Sequence, residues 1–430
     1  MREIKVGIIG FGTVGAGVAE NLLLNGDVIT KRIGVKVTLA GIADLDITSD
    51  RGVAVPRELL TTDAAGLIEK SDVVVELIGG TGAAKKFILQ ALRAGKSVVT
   101  ANKALLAMHG EELFRVAEEN GVDICYEASV AGGIPILKAL REGLVSNRIN
   151  RIYGILNGTC NYILTRMERE GIGFEEVLVD AQRLGYAEAE PSLDIDGYDT
   201  AHKAAILAGL AYGRWFGLDP VHVEGIRGVS LDDLRYADGL GYRIKLLAVL
   251  KNNNGVVEVR VHPTLIPKNA LLANISDVFN GVMVEGDTVG QTLFYGRGAG
   301  RAATASAVVA DIADVALNID RGCPRRVTFR AADQFREVAA FEDTQSRYYL
   351  RVQVRDTVGI MASVTRILAD HGISICSLIQ PENNAGEAES VPLVILTHKA
   401  VEKALDAALA EIENLTPVCG KVKLFRIEDL

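Results

Sequence analysis

The feature that most constrains this chain lies at its start. Residues 4–9 form a short apolar run that leads directly into Gly10-Phe11-Gly12-Thr13-Val14-Gly15, and a helical pattern follows from Ala16 to about Leu24. A glycine triplet at this spacing carries meaning only between a strand and a helix, which is where it stands. The first glycine permits a tight turn, the second lets backbone approach a pyrophosphate, and the third lets the helix pack closely. The helix then presents its free N–H groups to the phosphates. Gly10, Phe11, Gly12, Thr13, Val14 and Gly15 are therefore candidate contacts for a dinucleotide. A second strand, residues 35–43, ends at Asp44, placed to bond an adenosine ribose. Its distance from Gly15 exceeds the usual spacing of about 20 residues. Arg51 and Arg57 lie downstream, where a 2′-phosphate would be met, so NAD and NADP both remain open. Further strands at 73–78 and 97–100 bracket a helix near 83–94, and this alternation predicts an α/β fold with a doubly wound parallel sheet of the Rossmann kind.

In such a sheet ligands bind where strands end. The strand at 97–100 runs into Thr100-Ala101-Asn102-Lys103, which puts Thr100 and Lys103 where the reactive end of a cofactor or its substrate would lie. Residues 125–135, CYEASVAGGIP, join a strand end to a glycine-rich loop. That loop can turn carbonyls inward beside Glu127 to hold a hard cation, and a plain strand-to-helix turn accounts for the same residues. A strand at 149–156 and the polar segment NGTCNY at 157–162 follow. The most unusual stretch is GYAEAEPSLDIDGYDTAHK at 185–203, with five acids at Glu188, Glu190, Asp194, Asp196 and Asp199. Pro191 and Gly197 make its first part a loop, and Asp196 is a candidate N-cap for the helix beyond. Asp199 and Lys203 are four apart and share a helix face. This is either a solvated ion pair or an acid–lysine couple beside a cationic ligand. Segments 256–261 and 281–285 alternate as strands, giving the middle of the chain its own α+β sheet. Gly296-Arg297-Gly298-Ala299-Gly300 opens a small-residue helix near 302–317, and Gly300 suits either close cofactor contact or simple packing.

From Arg347 the pattern becomes strand 348–354, helix 360–370, strand 373–378, strand 391–397, helix 400–412 and strand 422–427. The order βαββαβ is ferredoxin-like, with residues 334–346 as linker and a polar loop at 381–390. Composition narrows the functional classes. A net charge of −9 over 430 residues argues against a general nucleic-acid partner, and no run of 18 apolar residues suggests a membrane span. Five scattered cysteines form neither a disulfide frame nor a zinc motif, which fits a reduced cytoplasm.

Taken in order, GFGTVG at 10–15, TANK at 100–103, YEASVAGGIP at 126–135, NGTCNYIL at 157–164 and the acidic stretch at 185–203 resemble monofunctional homoserine dehydrogenases with a C-terminal ACT domain. The resemblance spans essentially the whole chain. Val358 replaces the proline often found before the glycine of an ACT opening, a mild departure that bears on which ligand the tail would take. The resemblance implies a Rossmann domain over 1–128, a catalytic and dimerisation domain over 129–333 whose last helix packs back on the first, and an ACT regulatory domain over 347–427. It implies NAD(P)-dependent interconversion of L-homoserine and L-aspartate 4-semialdehyde, on the route to threonine, isoleucine and methionine. Lys203 would be the proton donor and acceptor, with Lys103 and Asp199 beside it, and Glu188 and Asp194 would bind substrate. Glu127 and the carbonyls of Val130, Gly132 and Ile134 would hold a monovalent cation, usually sodium. L-threonine would be the effector of the tail, and the assembly a homodimer or homotetramer. Two other readings share the first domain: a dehydrogenase of another amino-acid semialdehyde, and a non-catalytic amino-acid sensor.

Overall fold

The computed structural model describes residues 2–326, 337–380 and 390–430. Two compact units emerge, and the chain passes between them more than once. The first gathers Met1–Gly158, Asp199–Val221 and Val278–Phe335; the second gathers Thr159–Tyr198, His222–Asp277 and Arg336–Leu430.

In the first unit a six-stranded parallel sheet is built from β1 (Glu3–Ile9), β2 (Lys36–Ala43), β3 (Leu60–Thr61), β4 (Val73–Glu76), β5 (Ser97–Thr100) and β6 (Ile124–Cys125). Their order is β3-β2-β1-β4-β5-β6, the doubly wound order with its switch point between β1 and β4. The central strands are apolar on both faces because helices cover both; all of Val73, Val74, Val75, Val98 and Val99 are buried. The connecting helices are α1 (Thr13–Ile33), α2 (Ala64–Lys70), α3 (Gly82–Arg93) and α4 (Lys103–Glu119). α1 runs nine residues beyond the expected Leu24, through Gly26, and stops at Gly34, whose φ of 73° provides a left-handed cap. The helix Arg301–Asp320 lies against α1: Ala16, Val18, Ala19 and Leu22 share one apolar cluster with Ala305, Val308, Val309, Ile312 and Val315. That helix is apolar and long enough to cross a membrane by composition alone, and here its apolar residues face this core. Three antiparallel strands, Ile149–Ile155, Phe279–Gly286 and Gly290–Arg297, complete the unit, with Gly281 opposite Ile155 and Phe279 opposite Arg297.

The second unit holds a long hairpin, Tyr242–Asn253 and Val256–Pro267. It turns at Asn254 and Gly255, both with positive φ, as a right-twisted two-residue turn requires. Strand Lys423–Ile427 pairs in parallel with the end of this hairpin and antiparallel with Gln345–Val354. Val391–Thr397 and then Ile375–Ile379 extend the same sheet. With helices Ile360–Asp370 and Glu402–Glu413 this is the ferredoxin-like βαββαβ order. Tyr348, Leu350, Val352, Val364, Leu368, Leu393, Leu405 and Ile412 form its core. Most of the expected polar loop at 381–390, and the first part of the linker at 334–346, lie outside the described residues.

Candidate active site

β4 and β5 end side by side, and the chain leaves β5 through a short turn into α4. Asn102 caps that helix by accepting the Leu105 N–H at 3.1 Å. Its own backbone N–H donates to Thr100 Oγ1 at 3.0 Å, and Thr100 in turn donates to Glu76 Oε2 at 2.7 Å. Lys103 is thereby the first residue of α4.

The helix Tyr198–Tyr212 brings Asp199 and Lys203 to the same place. Asp199, with only 3% of its side chain exposed, bridges two ammonium groups: Lys103 Nζ at 2.5 Å from Oδ1 and Lys203 Nζ at 2.7 Å from Oδ2. Lys203 also donates to the Leu156 carbonyl at 2.6 Å, and Asn157 Nδ2 donates to Asp199 Oδ2 at 2.8 Å. Burial alone would raise the Asp199 carboxyl, but the charges of Lys203 and then Lys103 outweigh it and hold the group well below the ordinary carboxylate range. His202 is buried on the same helix, and burial lowers its imidazole below the ordinary value against the pull of Asp199. The expected i,i+4 pair is thus part of a three-membered charge bridge centred on a buried carboxylate.

Glu188 and Asp194 belong to the second unit. Glu188 is exposed, its carbonyl accepting from Gln182 Nε2 at 3.1 Å. Asp194 is half-buried in a short helix, Ser192–Ile195, that interrupts the expected loop, and its carbonyl accepts from Cys160 Sγ at 3.2 Å. Asp196 does not cap the lysine helix as anticipated; the helix begins after Gly197, and the Asp196 carboxylate pairs instead with Arg227.

At the glycine turn, Gly10 has φ of 108°, and a Cβ on Gly15 would sit 2.0 Å from the Gly10 carbonyl oxygen, so both positions demand glycine. Gly12 caps α1 with no side-chain acceptor, and Gly12 and Thr13 are exposed there. These features fit an anion at the helix start. Phe11 and Val14 place their side chains in the apolar cluster beneath, so only their backbone faces the turn. Asp44 ends β2 as expected, and its carboxylate accepts the Phe11 N–H at 2.5 Å and the Asp46 N–H at 2.9 Å, bracing the turn. Arg51 is paired with Asp46 at 3.1 Å, and Arg57 donates to the Ile47 carbonyl at 2.6 Å. Gly300 is exposed, with φ of 111°, immediately before the helix Arg301–Asp320.

In the loop after β6, Glu127 is buried, and its oxygens accept the Leu137 and Lys138 N–H groups at 2.8 and 2.7 Å. Burial raises its carboxyl above the ordinary value, against those two bonds. Val130 and Ile134 are buried; Ala131 and Gly132 adopt left-handed φ of 55° and 52°. The Ile134 carbonyl accepts from Ile136 N–H at 2.8 Å. Both Glu127 oxygens and the Ile134 carbonyl thus already accept backbone N–H groups, and oxygen donors of this kind are those a hard cation takes.

Asn157 and Glu76 were missed by sequence reasoning. Each closes an apolar strand with a polar side chain, at NGTC and VVVE, and that is the signal that marks strand-end chemistry.

A phosphate-ready glycine turn on a doubly wound sheet, with a buried carboxylate holding one buried and one half-buried lysine at a strand end, defines a nicotinamide-dependent oxidoreductase. Known proteins specify which. A family model described as homoserine dehydrogenase matches residues 135–313; the homoserine dehydrogenase NAD-binding domain matches 10–127, and the ACT domain 348–415. The homoserine dehydrogenase of Pseudomonas aeruginosa is 46% identical over the full length of both chains. The crystal structure of one from Thiobacillus denitrificans superposes with a TM-score of 0.94 at 45% identity, covering 100% of this chain and 99% of that one. A hyperthermophilic archaeal homoserine dehydrogenase solved in complex with NADPH matches with a TM-score of 0.63 at 28% identity, covering 74% of this chain and 98% of that one. The chain belongs to the homoserine dehydrogenase family. Its activity is accordingly that of an oxidoreductase acting on homoserine, and the readings as another semialdehyde dehydrogenase or a sensor fall away.

Proposed function

We propose that the Lys103–Asp199–Lys203 bridge is the proton-transfer centre for interconverting L-homoserine and L-aspartate 4-semialdehyde. The observation that carries this is the buried Asp199 carboxylate holding two ammonium groups at 2.5 and 2.7 Å. NAD or NADP, when bound, accepts a hydride from the alcohol carbon or returns it. Lys203 gives a proton to the aldehyde oxygen in reduction and takes it from the hydroxyl in oxidation. A free lysine, with a pKa of about 10.4, is a weak base at neutral pH. The carboxylate favours the ammonium forms, so the resting charge state suits the reductive direction. Two fixed positive groups also stabilise charge developing on the oxygen. General acid–base catalysis of this kind contributes roughly 10²–10⁴-fold.

Glu188 and Asp194 would help bind the substrate, with Glu188 on its ammonium group. The backbone of Gly10 to Gly15 would hold the pyrophosphate, with Thr100 and Gly300 as further cofactor contacts. Asp44 would meet the adenosine ribose with the lone pairs its two backbone bonds leave. The archaeal relative's NADPH supports NADP as a cofactor. Glu127 with the Val130, Gly132 and Ile134 carbonyls would hold sodium, which would order the loop between β6 and Pro135. The ferredoxin-like tail is assigned to L-threonine feedback, and the assembly to a homodimer or homotetramer. A cytoplasmic place in threonine, methionine and isoleucine synthesis follows from that activity.

The test follows nicotinamide absorbance with L-homoserine, using NAD and NADP separately, with and without L-threonine. Turnover lowered by threonine supports both centre and tail. Turnover indifferent to threonine removes the effector assignment, and a lack of turnover with both cofactors removes the catalytic one.

A further inference from the structure

Glu76 is a carboxylate that the proposed chemistry does not use. It closes β4, it is 0% exposed, and both of its oxygens are engaged. Oε1 accepts the Ile78 N–H at 2.9 Å and the Gly79 N–H at 3.3 Å, folding the chain into a turn where Gly79 and Gly80 take φ of 71° and 69°. Oε2 accepts the Thr100 hydroxyl at 2.7 Å, across from the next strand. The Thr100 oxygen receives the Asn102 N–H at 3.0 Å, and Asn102 Nδ2 donates to the Gly80 carbonyl at 2.7 Å, closing a ring between the two strand ends. Asn102 is also the cap of α4, on whose first residue Lys103 stands. Desolvating a carboxylate is costly, and hydrogen bonds to both of its oxygens offset that cost. A serine or threonine at position 76 would lack the reach to bond the turn and Thr100 together.

We propose that Glu76 is a positioning residue for Lys103, fixing through Thr100 and Asn102 the turn that aims the lysine at Asp199. The inference rests on the reading of Lys103 as part of the proton-transfer centre. A misplacement of about 1 Å in such a centre costs on the order of 10²-fold in rate, and the relay is one group removed from the lysine. The effect therefore falls on turnover. The rival role is support of the glycine turn, because Gly10 abuts the Leu77–Ile78 backbone, where a Cβ on Gly10 would lie 2.7 Å from the Leu77 carbonyl carbon.

The test is a double-mutant cycle between Glu76→Ala and Lys103→Ala, read as kcat and as KM for homoserine and cofactor. Alone, Glu76→Ala should lower kcat roughly thirtyfold with both KM values within about twofold. In the Lys103→Ala background it should have almost no further effect. Glu76→Gln, which keeps an acceptor for the turn and a partner for Thr100, should restore most of the rate. Glu76→Asp, one methylene too short to bond the turn and Thr100 together, should lose rate in the same way, and it carries the test if Glu76→Ala fails to fold. A loss that persists in full in the Lys103→Ala background overturns the proposal, as does a raised cofactor KM with kcat intact. Full turnover by Lys103→Ala alone would instead undo the earlier assignment of Lys103, which separates the two failures.

Discussion

Replacing Asp199 by Asn removes one charge and little volume, so its effect on the two lysines can be reasoned from the structure. Each ammonium lies 2.5–2.7 Å from a carboxylate oxygen. At an effective dielectric of about 20 that contact is worth about 6 kcal/mol gross per lysine in favour of the ammonium form. Lys103 is 34% exposed, so water screens much of its share, whereas Lys203 at 11% keeps more. The amide oxygen and the Leu156 carbonyl still accept from Lys203, which offsets part of the loss. With about 1.4 kcal/mol per pH unit, a surviving fraction of the gross term moves the rate limb by roughly 1–2 pH units. The direction is fixed: without the carboxylate the lysine gives up its proton more readily. In homoserine oxidation, where the base must be unprotonated, the limb moves to lower pH. In semialdehyde reduction, activity is lost at lower pH than in the parent protein. Plateau turnover should also fall, by roughly 10–100-fold, because neither lysine is held as before. The assay is the pH dependence of kcat in both directions at saturating cofactor. A limb that stays in place or moves to higher pH, with turnover intact, would refute the reasoning.

Two further outcomes follow from single residues. Gly15→Ala would press a methyl group to 2.0 Å from the Gly10 carbonyl oxygen, a backbone atom with nowhere to move; cofactor affinity by fluorescence titration should fall at least about tenfold, and parent-like affinity would contradict the glycine-turn assignment. Lys245 is buried in the hairpin, donating to Asn161 Oδ1 and the Ile275 carbonyl, and burial lowers it from 10.5 to about 8. Below about pH 8 folded and unfolded chains both hold its proton. Between about 8 and about 10.4 only the unfolded chain does, so this group makes stability rise with pH by roughly 3 kcal/mol. Denaturant unfolding should show that rise in the parent protein and lose it in Lys245→Met; an equal rise in both would count against it.

Much of the fold was legible because local signals agreed. Apolar strands, a glycine turn and alternating helices fix a doubly wound sheet, and the tail's βαββαβ order reads directly from its pattern. The interleaving of the two units was not legible. Nothing local in Gly158 or Val278 reports that the chain changes unit there, since that depends on contacts distant in sequence. Within the site, Lys103 and the Asp199–Lys203 pair could be named from strand-end and helix spacing. Their union through one carboxylate could not, because it needs the start of α4 and the start of a helix nearly a hundred residues later in one place. Asn157 was read only as part of a polar segment, although it bonds Asp199. Phe11 and Val14 were grouped with the cofactor turn, yet their side chains are core, a distinction that spacing alone does not make.

The central claim is that Lys203 moves the proton. The most direct measurement is homoserine oxidation by Lys203→Ala across pH, alongside a titration of cofactor binding. The account predicts a loss of about 10²–10⁴-fold in kcat with cofactor affinity retained. Turnover close to that of the parent protein would contradict it.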